Sequence, residues 1–564
     1  MKMVLALMLL VLLVVLPGAD LFAQATIDPG FRLAAEITPK DFAGVWPDTV
    51  GAWVIYSNYD INKNGKKEFF VLVDPATAYT SDVTPIVFWF EATANDTYTL
   101  LWSAKLPGLN PDGYSWANMT VGDLDKDDSP EVHVLLPRGR AGTDEVSRPL
   151  LYVYEYDGST FPTEPSMSST LNLRDAFRYS SSSVAVANVD ADDALELIVT
   201  SRNDDFGGTG AGRTLMIFSL IGDVGPFSSL NLEFADSSAV LKGGYVFTAY
   251  PLDYDRDGKM EIWVPTWDML SVAVYEQTGA DTYALQVDIN EATSPDDVGE
   301  HNGVRFYDTD GDGAKEMYWA GMSGDGENPG GVYYMKSTSD VSTLTMTDIS
   351  MVSPLVDAQS GVSLSGADIG DIDSDGRMDF IMTGVNPLNK IFRLEYNGSG
   401  PLNDVNSYTW TTLYEEDLAN SGYDFENVSI GDDLDGDGNR EVLIANLLLS
   451  PGGNDPAVII LEAIGSSDVR QTSDAVPEAY RLEQNYPNPF NPTTNIEFSL
   501  VSAGFVSLRV YDLLGREVAV VVNGALPAGT HRATLDARAL PSGMYWYTLS
   551  AGDFTATKRL TVLK

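Results

Sequence analysis

The sequence predicts an all-β protein: a ring of seven repeated four-stranded sheets with ion-binding loops, followed by a small immunoglobulin-like β-sandwich. Three observations predict it. A short acidic loop recurs seven times at near-constant spacing, apolar β-like runs flank every copy, and the charge balance changes sign after residue 478. The chain has 564 residues, 81 acidic and 34 basic, for a formal net charge of −47. Hydrophobic residues make up 44%, enough to bury large cores, which excludes a disordered chain. The acidity excludes nucleic-acid binding, which needs a Lys/Arg footprint for phosphates. No cysteine is present, so disulfides and thiolate chemistry are excluded. His133, His301 and His531 lie far apart, which argues against a His-rich zinc site.

Residues 1–25 read as a secretory signal peptide. Lys2 gives the positive start, Val4 to Leu16 is the apolar run, Pro17-Gly18 breaks it, and Ala23-Gln24-Ala25 is a cleavage site. The run is too short to span a bilayer, which needs about 20 residues. The mature chain is expected to be exported and to hold no transmembrane segment.

The repeated loop has an acid or amide at positions 1, 3 and 5 and a carboxylate at 9. The copies are Asp60, Asn62, Asn64 and Glu68; Asp123, Asp125, Asp127 and Glu131; Asn188, Asp190, Asp192 and Glu196; Asp253, Asp255, Asp257 and Glu261; Asp308, Asp310, Asp312 and Glu316; Asp371, Asp373, Asp375 and Asp379; and Asp433, Asp435, Asp437 and Glu441. Alternate residues of a tight loop point toward one centre. Gly at position 6 of five copies allows a turn with φ > 0, and the position-7 carbonyl can join the cage. Such an all-oxygen set of six or more ligands suits Ca²⁺, up to seven ions, ahead of Mg²⁺. A plain Asx-rich turn is the alternative, but converging carboxylates without a cation would repel. Asp128 and Asp193 replace the glycine in two loops and tolerate the left-handed region less well. The loop at Asp60 has only two carboxylates and is the weakest site.

An EF-hand needs Glu at position 12 and flanking helices. Here position 12 is Val71, Val134, Val199, Val264, Trp319, Met382 or Ile444, always apolar. Each loop therefore links two strands. Two further apolar runs complete a unit, and four strands repeated radially describe a seven-bladed β-propeller. A linear solenoid would need polar caps, and none is visible. The last unit lacks an obvious fourth strand after Ala463, whereas Phe31-Arg-Leu-Ala-Ala-Glu-Ile37 stands before the first. Residues 31–37 are expected to complete the seventh blade within a domain of residues 26–465 and remove its open edge.

These repeats resemble the FG-GAP/VCBS family of integrin-type propellers. The resemblance implies calcium at positions 1, 3, 5, 7 (backbone) and 9, and it implies no particular ligand.

Residues 466–478 are polar and read as a linker. Residues 479–564 carry eight basic against six acidic side chains. Strands are expected at 495–500, 505–512, 517–522, 530–536, 543–549 and 554–563, separated by Gly- and Pro-containing turns, as in a small sandwich. The opening Asn485-Tyr-Pro-Asn-Pro-Phe-Asn-Pro492, then Val510-Tyr-Asp-Leu-Leu-Gly-Arg-Glu517, Ser542-Gly-Met-Tyr545 and the basic ending Lys558-Arg559-Leu-Thr-Val-Leu-Lys564, resemble the type IX secretion C-terminal sorting domain. The resemblance implies recognition of residues 479–564 by the type IX secretion machinery and a secreted or outer-membrane cell-surface destination.

No nucleophile elbow, P-loop or H-E-x-x-H motif is present, so no catalytic residue and no organic cofactor site is assigned. His133 aligns with Phe70, Ile198 and Trp263 of other units and reads as a core residue. His301, Trp116 and Trp267 read as loop surface or packing. The expected function is a calcium-stabilised secreted or cell-surface protein for binding or adhesion, with a glycan or surface protein as ligand. The alternatives are an extracellular polysaccharide-active enzyme on the same scaffold and a structural surface-layer component.

Overall fold

The computed structural model describes residues 25–48, 50–74, 84–107, 117–136, 150–171, 178–190, 192–204, 213–236, 249–265, 272–289, 303–321, 331–354, 364–384, 389–416, 425–447, 449, 455–463, 470–473, 477, 479–502, 504–513, 515–526, 528–537, 540–552 and 554–563. His301, Trp116, Trp267 and nearly all of the signal segment lie outside them.

Seven four-stranded antiparallel sheets follow one another along the chain. Blade one comprises Val54–Tyr59, Glu68–Val73, Ile86–Ala94 and Thr97–Lys105. Blade two comprises Asn118–Gly122, Glu131–Leu136, Leu150–Glu155 and Met167–Thr170, and blade three Arg178–Ala187, Glu196–Asp204, Arg213–Ile221 and Ser229–Asp236. Blade four comprises Tyr250–Leu252, Glu261–Pro265, Val272–Gly279 and Thr282–Ile289. Blade five comprises Gly303–Tyr307, Glu316–Gly321, Gly331–Met335 and Ile349–Pro354. Blade six comprises Leu364–Gly370, Asp379–Gly384, Lys390–Tyr396 and Tyr408–Glu415, and Thr26–Ile27 adds a fifth strand beside the last of these. Blade seven takes Phe425–Ile430, Glu441–Asn446 and Val458–Ala463 from the end of the ring and Phe31–Ile37 from its beginning. The fold is a closed seven-bladed β-propeller.

Each second strand is buried on both faces, as its unbroken apolar sequence requires: Glu68–Val73, Glu131–Leu136 and Glu441–Asn446 have no exposed residue. The outer strands alternate instead, Thr97–Lys105 facing water on one side. Successive side chains of a strand point to opposite neighbours. Phe70 and Leu72 join a core with Val132, Val134 and Tyr154 of blade two. Phe69 and Val71 join Leu443, Ala445 and Ile460 of blade seven. Every one of the seven blade junctions holds such a cluster. The hydrophobic core is thus a ring of inter-blade layers, and no blade can bury its faces alone.

The inner strands crowd around the axis and carry small residues. A Cβ on Gly366 would stand 2.4 Å from the Glu426 carbonyl oxygen. Just ahead of blade one, the Gly51 and Ala52 N–H groups donate to the Leu447 and Asn446 carbonyls of blade seven.

The C-terminal unit has two sheets. Arg470–Ser473, Gly529–Asp536, Thr493–Leu500 and Arg481–Leu482 form one, and Glu517–Leu526, Gly504–Tyr511, Gly543–Ala551 and Phe554–Val562 the other. They enclose a core that includes Phe498, Leu508, Tyr547 and Leu560. Part of the expected linker is therefore a strand: Arg470 and Gln471 pair with Arg532 and His531. An edge strand bonds through its backbone, so its sequence need show no apolar alternation. The proline-rich opening is tied to the end of the chain. The Phe490 N–H donates to the Thr561 carbonyl, and the Thr561 N–H donates to Asn488 Oδ1 at 3.0 Å.

A Cβ at Gly51 would lie 1.9 Å from the Asn446 carbonyl oxygen. Gly51→Ala is expected to lower stability by about 1–3 kcal/mol through overpacking at this junction. Denaturant titration reads it as a lower midpoint, and an unchanged midpoint would contradict the junction described.

Candidate functional site

The seven acidic loops join the first and second strands of the seven blades, so all 28 residues expected to face ions lie at one end of the ring. Their local geometry repeats. One oxygen of the position-9 carboxylate accepts the position-2 backbone N–H: Ile61, Leu124, Val189, Tyr254, Thr309, Ile372 and Leu434 donate at 2.6–3.0 Å. The position-5 side chain accepts the position-7 N–H in every loop, at 2.6–2.9 Å. In six loops the position-1 carboxylate accepts the position-6 N–H. Position 6 is left-handed where glycine allows it, as in Gly258 (φ 88) and Gly438 (φ 100), and also at Asp128 (φ 70). Position 4 is left-handed too, at Lys126, Arg256 and Ser374 among others.

In several loops these bonds leave the second oxygen of a carboxylate inside without a partner. Glu68, Glu131, Glu196, Glu261 and Glu441 each bury Oε1 with no hydrogen-bond partner, and Asp253, Asp308 and Asp433 each bury Oδ1 likewise. The oxygens of Asp123, Asp125, Asp127 and Glu131 lie within 4.8 Å of one another, as do those of Asp253, Asp255, Asp257 and Glu261. Buried polar atoms are almost always bonded, so a converging set of unbonded anionic oxygens is chemically fit for a hard cation. Burial, and then the facing aspartates, push the carboxyl of Glu131 up to about 8, Glu261 to about 8 and Glu441 to about 9, against the opposing pull of the backbone N–H. Glu196 and Glu316 rise to about 7 for the same reasons.

Loop one differs. Asn62 and Asn64 turn their amide nitrogens to Glu91 Oε2, at 2.8 and 2.6 Å, where other loops have carboxylate oxygens. Loop six differs as well: Arg393 donates to Asp379 and Asp373.

Position 3 has a second task. Its Oδ2 accepts a backbone N–H from the next blade's outer hairpin in four loops. The pairs are Asp125 with Val224, Asp190 with Asp281, Asp255 with Val341 and Asp435 with Asp96, at 2.7–2.9 Å. Third-strand glutamates that no sequence motif marks also stand opposite position 9, namely Glu91, Glu155, Glu276, Glu395 and Glu462. Each closes an apolar run, but the connection before it varies in length, so no fixed spacing marks it.

His133 is fully buried, with Nε2 3.2 Å from Glu131 Oε2, and burial pulls it down to about 4. It is a neutral core side chain.

A second feature lies on the axis. A cavity of about 330 Å³ is lined by inner-strand residues of blades one, two, four, five, six and seven, among them Trp53, Tyr56, Tyr59, Asn118 and Tyr250. Arg305 sits against it, with Nε 3.1 Å from Asp368 Oδ1 and Nη1 donating to the Tyr250 hydroxyl and the Val304 carbonyl. Asp368 also accepts the N–H groups of Ile369 and Ile430.

Residues 484–563 match the family model described as the secretion system C-terminal sorting domain. The terminal sandwich is thus a type IX sorting domain, which engages the type IX machinery and directs the chain to export, for secretion or attachment at the cell surface. No curated protein matches the chain significantly. Solved structures similar to it include an α-L-arabinofuranosidase of Fusarium graminearum, at 10% identity over 62% of this chain and 93% of that one, TM-score 0.37. An α-L-arabinanase of Penicillium chrysogenum has 11% identity over 62% and 92%, TM-score 0.37. The sialidase of Trypanosoma rangeli has 9% identity over 86% and 88%, TM-score 0.35. No helix among the described residues is long and apolar enough to cross a membrane.

The pH dependence of the ion-free protein follows from the raised carboxyls. Their pKa in the folded chain exceeds the unfolded value, so the folded state holds protons that the unfolded state releases. Their stabilising contribution is complete below about pH 4.5 and is lost as pH rises through about 7–9. In a strong chelator the melting temperature should therefore fall between about pH 5.5 and about pH 8.5. A midpoint that rises over that interval in scanning calorimetry would contradict the geometry of the position-9 groups.

Proposed function

We propose that the chain is an FG-GAP/VCBS-like, calcium-stiffened propeller that the sorting domain delivers to the cell exterior, where it binds a glycan. Calcium is assigned to loops two, three, four, five and seven. The observation that carries this part is the set of buried carboxylate oxygens without partners in those loops. An ion there would neutralise the repulsion, fix the loop, and leave the position-3 carboxylate set to hold the next blade. At ten times its dissociation constant each ion adds about 1.4 kcal/mol, so five together rival the net stability of a domain.

The axial cavity supports a binding role. Aromatic rings and side-chain amides in one concave site suit the apolar faces and hydroxyls of a sugar. Of the lining acids, Asp368 already accepts from Arg305 and two backbone N–H groups, an arrangement suited to holding the ring together rather than to proton transfer.

Calcium titration of the mature chain should show five ions. Glu441→Gln should lower that count by one and lower the melting temperature in calcium, whereas a count of zero in the parent protein would overturn the metal assignment. On a glycan array, a ligand should bind in calcium. Asn118→Ala should weaken it about tenfold, roughly one buried hydrogen bond, with the melting temperature unchanged. Release of sugar products from a polysaccharide panel would instead establish the enzymatic reading.

A further inference from the structure

We propose that the loop of blade six carries its cation within the protein: the Arg393 guanidinium stands where the other loops take calcium. The inference rests on the calcium reading above. Arg393 lies in the third strand of blade six, where its cross-strand partner is Ile381. Its Nε donates to Asp379 Oδ1 at 2.6 Å, its Nη2 donates to Asp373 Oδ2 at 2.8 Å, and the same Nη2 lies 2.8 Å from Glu395 Oε2. The guanidinium thus joins positions 3 and 9 of the loop.

Among the described residues, no charged side chain takes this place in the other blades. The residues in the register of Arg393 are Trp89, Val153, Ile217, Val274, Tyr334 and Ile460. None is charged. Position 9 is also shorter only here, Asp379 in place of Glu, and the missing methylene leaves room for the planar guanidinium. The oxygens follow suit. Among the described residues, no oxygen of Asp371, Asp373, Asp375 or Asp379 is buried without a partner, in contrast to each of the other six loops. Asp375 Oδ2 is held in turn by Arg377, the position-7 residue. In four other loops the position-3 Oδ2 accepts from the next blade, and here the same atom goes to Arg393.

The arginine is well seated. It is 8% exposed, and its guanidinium carbon lies 5.9 Å from the centre of the Phe31 ring, on the strand that closes blade seven. Arginine stays charged at any physiological pH and matches carboxylates with paired donors. A divalent ion brought to the same oxygens would face a fixed positive charge at contact distance, so the two exclude one another.

The test counts calcium bound to the mature chain by equilibrium dialysis with metal analysis. Arg393→Met should bind one ion more than the parent, and should melt lower than the parent in chelator and recover in calcium. Asp379→Asn should melt lower yet keep the parental count, whereas Glu441→Gln loses one ion. An Arg393→Met protein with the parental count overturns the inference. If that variant fails to fold, loss of an ion in Asp379→Asn overturns it, and a parental count there supports it. A parent that binds no calcium sinks the calcium reading and the inference together. A parent that binds calcium while Arg393→Met gains none sinks the inference alone.

Discussion

The fold depends on a carboxylate buried at the first residue of each second strand. That residue must be inside, because the strand it opens is packed between two neighbouring blades. One of its oxygens caps the backbone N–H that the tight loop would otherwise strand, and this bond sets the path of the loop. The other oxygen then has no protein partner in most blades and faces further carboxylates. A buried anion in that position is costly unless a charge meets it. The need of this group for a proton, or for the cation proposed above, is therefore a consequence of strand packing and loop closure, rather than an addition to a finished fold.

The same loops also explain how blades are kept in order. Each hydrophobic layer is shared by two blades, so burial alone holds neighbours together without fixing their height along the axis. The position-3 carboxylate supplies that register by accepting a backbone N–H from the following blade, as between Asp125 and Val224 or Asp255 and Val341. In the four loops that make this bond, the cation proposed above would, by fixing the loop, also fix the edge of the next blade. The junction of blades seven and one adds an ion pair: Arg32, on the closing strand, reaches both Glu462 and Asp96.

Much of the architecture was legible in the sequence because a fixed loop pattern and an apolar run recur together. The strand after each loop, the radial count and the small terminal sandwich follow from that recurrence and from turn residues. What stayed hidden has a physical reason in each case. Thr26–Ile27 pairs with blade six, and Arg470–Ser473 pairs within the sandwich, by backbone hydrogen bonds that leave no side-chain signature. Glu91 and Glu155 approach the loops from a third strand whose distance along the chain varies. The loop at Asp371 looked as complete as its neighbours, because a pattern of ligands within a loop says nothing of a guanidinium arriving from another strand.

That last point bears on how the ring closes. The N-terminal segment adds Thr26–Ile27 to blade six and Phe31–Ile37 to blade seven, so closure bridges these two blades. Phe31 lies over the guanidinium that fills the blade-six loop. A loop proposed to bind calcium would be fully held only with its ion, whereas an arginine-bound loop is held as soon as its strands meet. With Arg393 in place, the blade that receives Thr26–Ile27 has a guanidinium bonded to its loop carboxylates without any ion. The calcium sites proposed for other blades would then stand beside a blade-six loop that needs no ion, and the chain, without a single cysteine, closes its ring by strand pairing and the layers between blades.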